Sequence, residues 1–297
     1  MKPMVSLLLL TLFILGITGG FFSGLLGIGG GIIMVPLLLY IPSLLGLGIL
    51  DMKIVAGMTM VQSLGGSLSA LLVHRRNRFV HGHLVFLMGG SSIVGALVGS
   101  IWSKYLSPDT MLALFAGLAL LASGLLFLPV SKDTDTTELL EIRFSKVTAV
   151  LLGAIVGTVG GIIGQGGAFL IIPLMLYVLR IPTRITLGSS VAISFLSALA
   201  GFLGKWGTEQ IPFLLALVLT AGAILGAQLG GRISKRLQTT TLRSVLAVLI
   251  TGTALRISFS LLSNLGVNTT VLGAGGILIV MPMGYLIWQN ARSTRYT

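Results

Sequence analysis

The chain has no cysteine, only seven acidic residues, and only 9% charged residues among its 297 positions. The missing cysteines exclude disulfides, thiolate metal sites and cysteine nucleophiles. The scarcity of charge excludes an ordinary soluble domain. Hydrophobic residues make up 55% of the chain and mean hydropathy is +1.05, values of a polytopic helical membrane protein. Long polar stretches are also scarce. The one that exists, Ser131 to Lys146, holds four of the seven acids and reads as a solvated cytoplasmic linker.

The other three acids, Asp51, Asp109 and Glu209, fall in expected loops. No carboxylate is thus placed inside a span, which argues against proton or sodium coupling through Asp or Glu. The spans also hold no nucleophile with a base, paired carboxylates or metal cluster, so neither an enzyme nor a bound cofactor is expected. His74, His81 and His83 flank a basic loop and read as solvated. The net charge of +12 comes from basic residues in short loops between apolar runs. That pattern suits positive-inside anchoring and not a nucleic-acid partner.

Apolar segments run over 4–27, 31–50, 54–73, 83–102, 110–129, 147–165, 168–179, 185–203, 211–230, 241–262 and 271–289. Lys2 and the first run resemble a cleavable signal. The run continues into a glycine-rich break with a partner in the second half, so it is read as a retained span. Those breaks, GGFFSGLLGIGGGIIMVP at Gly19 to Pro36 and GTVGGIIGQGGAFLIIP at Gly157 to Pro173, align at one constant offset. Gly20 falls on Gly157, Gly24 on Gly161, Gly27 on Gly164, Gly29 on Gly166, Gly30 on Gly167 and Pro36 on Pro173. The segments after the breaks are short or carry proline, so each is expected to be a short helix packed within the bundle.

After a six-residue insertion in the first half, the alignment resumes. Lys53 falls on Arg184, Gly57 on Gly188, Thr59 on Ser190, Gly95 on Gly226, Gly99 on Gly230 and Lys104 on Lys235. The expected architecture is all-α and polytopic: two inverted repeats of about five helical segments with glycine-rich broken helices, plus a C-terminal helix. Residues 1–130 form the first repeat, 131–146 the linker, and 147–297 the second repeat with the extra helix. Basic loops at Arg75, Arg76 and Arg78, at Arg232 to Arg243, and at Arg292 and Arg295 belong in the cytoplasm, which puts the N-terminus outside.

Glycine at a break admits a ligand to the backbone, and a helix starting there offers free N–H groups at a positive dipole end. Gly29, Gly30, Gly31, Gln165, Gly166 and Gly167 are therefore anion-site candidates; Gly24, Gly95, Gly99, Gly226 and Gly230 read as close helix-packing positions. Gln165 stands where the first break has Ile28, and Ala168 where it has Gly31, so the two sites are not equivalent. Thr59, Gln62, Ser63, Ser189, Ser190 and Ser194 supply donors within spans, either to an oxyanion or to neighbouring helices. Arg256 is the one basic residue read clearly inside a span, as a substrate contact or a snorkelling side chain.

The paired breaks, the duplicated unit and the polar linker resemble the TauE/SafE-type sulfite exporter family, also called the 4-toluene sulfonate uptake permeases. The resemblance covers nearly the whole chain. It implies a multi-pass permease of a cell (inner) membrane whose partners are the lipid bilayer and a small sulfur-containing anion such as sulfite or an organosulfonate. It fixes neither substrate nor direction, and the oligomeric state stays open. A channel-like anion pore, a carrier of another organic anion and a structural membrane protein are the competing readings. Saturable flux with counterflow separates a carrier from a pore.

Because no native cysteine interferes, the topology is testable by labelling. An Asp135→Cys protein in intact cells should resist an impermeant thiol reagent and react only after permeabilisation; labelling from outside refutes the assigned orientation.

Overall fold

A computed structural model describes residues 2–28, 31–76, 79–126, 144–206 and 211–264. Gly29, Gly30, most of the linker and the segment 271–289 lie outside the described residues. Every regular element described is helical: α1 (Lys2–Leu26), α2 (Gly31–Leu44), α3 (Met52–Arg76), α4 (Gly82–Ser103), α5 (Pro108–Leu126), α6 (Lys146–Ile163), α7 (Ala168–Tyr177), α8 (Thr183–Lys205), α9 (Phe213–Ser234) and α10 (Thr239–Asn264). Seven of these, α1, α3, α4, α5, α6, α8 and α9, are long and apolar enough to cross a bilayer. Their outward faces expose Leu7, Leu10, Ile14, Val94, Val98, Ile155 and Leu217, apolar surface that suits lipid and not water.

The helix starts reproduce the sequence alignment. Met52 of α3 falls on Thr183 of α8, Gly82 of α4 on Phe213 of α9, and Pro108 of α5 on Thr239 of α10. The insertion in the first half is taken up as one extra turn of α2, which has 14 residues against 10 in α7, and in the loop that follows. Pro36 and Pro173 sit at the same place in α2 and α7. Each removes an N–H from its helix, which a lipid-facing helix tolerates poorly and an internal one tolerates well.

Packing follows the same duplication. α1 lies along α9 and α4 lies along α6, α3 packs on α9 and α8 packs on α4, while α3 meets α8 and α5 meets α10. The contacts set directions. Gly16, Gly20 and Gly24 of α1 face Leu219, Ala223 and Ala227 of α9 in ascending order, a parallel pair. Gly95 and Gly99 of α4 face Ala154 and Thr158 of α6 in the same sense. Between α3 and α8 the order reverses: Met60, early in α3, touches Gly201, late in α8, while Phe79, just past α3, touches Gly188, early in α8. The central pair, buried along most of its length, is thus antiparallel.

The packing glycines carry the outer pairs. A Cβ on Gly99 would stand 1.9 Å from the Thr158 carbonyl oxygen, and one on Gly230 would stand 1.9 Å from that of Phe21. Backbones approach this closely only where neither side chain intervenes, and in lipid such van der Waals contact drives helix association. The reading of Gly24, Gly95, Gly99, Gly226 and Gly230 as packing positions agrees with these contacts.

Gly99→Val and Gly230→Val should each lower the thermal unfolding midpoint, with a loss of about 1–3 kcal/mol or more from overpacking. Gly117→Ala, in α5 where an added Cβ meets nothing within 4 Å, should be neutral or stabilising by up to ~1 kcal/mol. Equal effects at the three positions would contradict this account of the bundle.

Candidate functional site

The described glycines of the two breaks rest on the central helices, Gly27 on α8, Gly164 on α3 and Gly166 on α8. α6 ends in Gly164 at φ 85°, and Gly166 (φ 62°) and Gly167 (φ 71°) lead into α7. A Cβ on Gly164 would fall 2.0 Å from the Ala56 carbonyl oxygen of α3, and one on Gly166 would fall 2.6 Å from both the carbonyl oxygen and Oγ of Ser194 on α8. In the first half, Gly27 (φ 69°) packs against Leu187 of α8, whose carbonyl oxygen lies 2.2 Å from the position of a Cβ. Ala56 and Leu187 are repeat-equivalent, so each half's break rests on the same turn of the other half's central helix. Left-handed backbone pressed on a carbonyl leaves glycine as the fitting residue.

The hydroxyls divide into two groups. Ser190 Oγ donates to the Gly27 carbonyl oxygen at 2.8 Å and to that of Leu187 at 2.9 Å, tying the first break to α8. Thr59 Oγ1 donates within α3, to Val55 at 2.8 Å. Ser189 Oγ accepts from the His81 backbone N–H at 3.0 Å, anchoring the α3–α4 loop. Ser63 is buried on α3 and its carbonyl oxygen accepts from Ser67 Oγ. The buried side chains of Gln62, Gln165, Ser194, Ser23 and Ser197 are different: none of their polar side-chain atoms has a hydrogen-bond partner. Ser23 and Gln62 are neighbours, since a Cβ on Gly66 would lie 3.8 Å from Gln62 Nε2 and 4.0 Å from Ser23 Oγ. Ser23 and Ser197 were missed in the sequence, where a lone serine in an apolar run carries no signal.

Arg256 does not join this group. It is exposed on α10, with its guanidinium 4.0 Å from the centroid of the Tyr40 ring of α2, a cation–π contact between two helices. Gly31 starts α2.

Two basic residues expected in loops are buried instead. His74 and Lys205 are 1% and 0% exposed, which corrects the solvated reading of His74 and removes Arg256's standing as the single intramembrane basic residue. The reason lies at the breaks. His74 Nε2 lies 2.9 Å from the Gly24 carbonyl oxygen in the last turn of α1. Lys205 Nζ donates to the Ile162 carbonyl oxygen in the last turn of α6 at 3.3 Å. The two are repeat-equivalent. A helix that stops inside the bundle leaves carbonyls at its negative dipole end, and a basic donor satisfies both needs. The Gly24 carbonyl only accepts, so His74 carries its proton on Nε2; Nδ1 has no partner. Lys53 repeats the device on the Lys104 carbonyl and Arg184 on that of Leu237. His81, outside the spans, accepts from the Leu84 N–H to cap α4; burial, and secondarily the charge of His83, holds its pKa below 6.5.

Asp51 accepts from the Ile54 N–H at the start of α3, and Asp109 lies in the first turn of α5. Among the described residues no group of three or more His, Asp or Glu side chains stands together to hold a metal.

Helices that break inside a bundle, around buried donors with no protein partner, are the arrangement of a multi-pass transport protein. The chain belongs to the family described as sulfite exporter TauE/SafE, whose model matches residues 12–257. It is 25% identical to the probable membrane transporter protein YunE of Bacillus subtilis strain 168 over 80% of this chain and 93% of that one. A probable membrane transporter protein of Xylella fastidiosa strain Temecula1 is 30% identical over 73% and 82%, and one of Methanocaldococcus jannaschii, MJ0441, is 25% identical over 82% and 93%. No solved structure matches the chain.

His74→Phe, which leaves the Gly24 carbonyl without its donor, should cost about 1–3 kcal/mol in unfolding. His74→Gln, which keeps an N–H, should retain most of that. Equal loss in both variants shows that the histidine acts through packing and not as a cap.

Proposed function

We propose that the protein carries a small sulfur-containing oxyanion, sulfite or an organosulfonate, across the cell membrane, binding it between the two breaks. The observation that carries this reading is the set of unpartnered buried donors, above all the side-chain amides of Gln62 and Gln165. A buried amide without a partner costs about 1–3 kcal/mol, a cost that folding alone gives no reason to bear. A tetrahedral or pyramidal oxyanion accepts several hydrogen bonds and suits amide and hydroxyl donors together. Ser194 beside Gly166, and the start of α7 with its positive dipole end, support an anion near Gln165. Gly29, Gly30 and Gly31 are assigned the matching role in the first half.

The antiparallel course of α3 and α8, helices at equivalent places in two five-helix units, supports an inverted repeat. In such a protein one half takes up the other's conformation in turn, so the site opens to alternate sides. Because each break is held by an equivalent basic cap, the two conformations are close in energy. The sulfur oxyanion, and not a carboxylate, is the expected cargo because the family is that of sulfite exporters.

A thermal-shift screen of the purified protein with sulfite, sulfate, thiosulfate, sulfoacetate, taurine and simple carboxylates tests the reading, because a ligand of the folded state raises the midpoint. Gln62→Leu and Gln165→Leu should hold or raise the ligand-free midpoint while abolishing the shift given by the best anion and its transport in vesicles. Retention of that shift in the double variant would remove the glutamines from the site.

A further inference from the structure

A basic cavity lies away from the breaks, where α3 and α9 end side by side. It has a volume of about 620 Å³ and is lined by Ser69, Leu72, Val73, Arg76, Gln228, Arg232, Lys235 and Arg236. Four cations thus converge on one space with no carboxylate in its lining. All four are exposed. Ser69 is already engaged, donating to the Ile224 carbonyl oxygen at 3.0 Å.

Repeat equivalence shows that the fold does not require this charge. In the sequence alignment, Arg232 and Arg236 fall on Ile101 and Tyr105 and Arg76 on Gly207, so that of the four cations only Lys235 has a basic counterpart, Lys104. His74 with Lys205 and Lys53 with Arg184 are matched pairs on helix-end carbonyls; in the sequence alignment three of the four cations of this cluster have no basic counterpart.

The flank of the cavity decides what it holds. Leu72 in its lining is 64% exposed, and along the same edge of α9 Leu225 and Leu229 are 50% and 52% exposed. These side chains belong to helices long enough to cross the bilayer, so the cavity is polar at the membrane surface and apolar along the hydrocarbon. A free phosphate or sulfonate makes no use of that apolar edge. A phospholipid uses both, with its phosphate among the arginines and its acyl chains along the leucines. A zwitterionic headgroup brings its own ammonium, which four uncompensated cations repel.

We propose that this cavity is a binding site for an anionic glycerophospholipid without an ammonium group, such as phosphatidylglycerol, taken from the leaflet on the side of the Arg75–Arg76 loop. Arg232 and Arg236 hold the phosphate through paired N–H donors, and Arg76 joins it from α3. The lipid bridges α3 to α9 at the end of the helix pair where His74 holds the first break, so its occupancy stiffens that end of the bundle.

Native mass spectrometry of the full chain, released from nanodiscs of mixed phosphatidylcholine and phosphatidylglycerol, reads lipid occupancy directly. The wild-type protein should retain phosphatidylglycerol in preference to phosphatidylcholine, and soluble glycerol phosphate should not displace it. Arg232→Gln with Arg236→Gln should weaken retention by about 25-fold, taking about fivefold for the ~1 kcal/mol of each basic residue at an anionic surface. Lys104→Gln, on the opposite face, should leave it unchanged. Equal retention of the two lipids by the wild type overturns the proposal without recourse to a variant. Displacement by glycerol phosphate at comparable concentration overturns it in favour of a soluble-anion site, and unchanged retention in the double variant assigns the lipid elsewhere.

Discussion

A helix that stops within a membrane bundle exposes carbonyls that hydrocarbon cannot satisfy, and the rest of this structure is arranged around that debt. His74 and Lys205 answer it at the last turns of α1 and α6, and Ser190 answers it at Gly27. Each solution requires the ends of α3 and α8 to lie against the breaks. That requirement places the two central helices together and leaves α1, α9, α4 and α6 to close the outside. Close packing at Gly99 and Gly230 follows from it, since the outer helices must approach within backbone contact to enclose the breaks.

Several contacts that serve the fold are duplicated, whereas most polar side chains without partners are not; Ser194, which aligns with Ser63, is an exception. Ala56 and Leu187 cushion the two breaks alike, and Lys53 and Arg184 cap helix ends alike. Gln62, by contrast, aligns with Ile193, Gln165 with Ile28 and Ser23 with Gly160. A symmetric scaffold therefore holds an asymmetric set of donors. Two identical half-sites would bind an anion with equal strength at each break. On the proposed reading, unequal ones favour a single orientation, which suits a substrate with one sulfur-oxygen end and one organic end. This is a reason for the divergence that helix packing does not supply.

Much of this was legible in the sequence, because the repeat could be read twice. The alignment of Gly27 with Gly164 and of Lys53 with Arg184 anticipated where helices start, stop and touch. The burial of His74 and Lys205 was not legible along the chain, since each ends an apolar run beside other polar residues and looks like the edge of a loop. Their alignment with one another was the available signal: a histidine over a lysine at the ends of matching helices implies a shared basic role. The placement of Arg256 was not legible either. Its position within an apolar run says nothing about which face of α10 carries it; the folded chain shows it exposed, beside the Tyr40 ring of α2.

The caps also bear on how such a bundle moves. A neutral hydrogen bond contributes only about 0.5–1.5 kcal/mol net, so exchanging one for a water or for a ligand oxygen is a small step compared with disrupting a packed core. The Gly–carbonyl contacts of α1 with α9 and of α4 with α6 are of the other kind: extensive, dry and intolerant of an added methyl group. On the proposed reading, motion therefore divides along that line, with the two outer pairs moving as rigid units and the breaks changing partners between them. The basic cavity sits across the seam of α3 and α9, so on the same reading a ligand that fills it shifts the balance between the two arrangements by as much as its affinities for them differ.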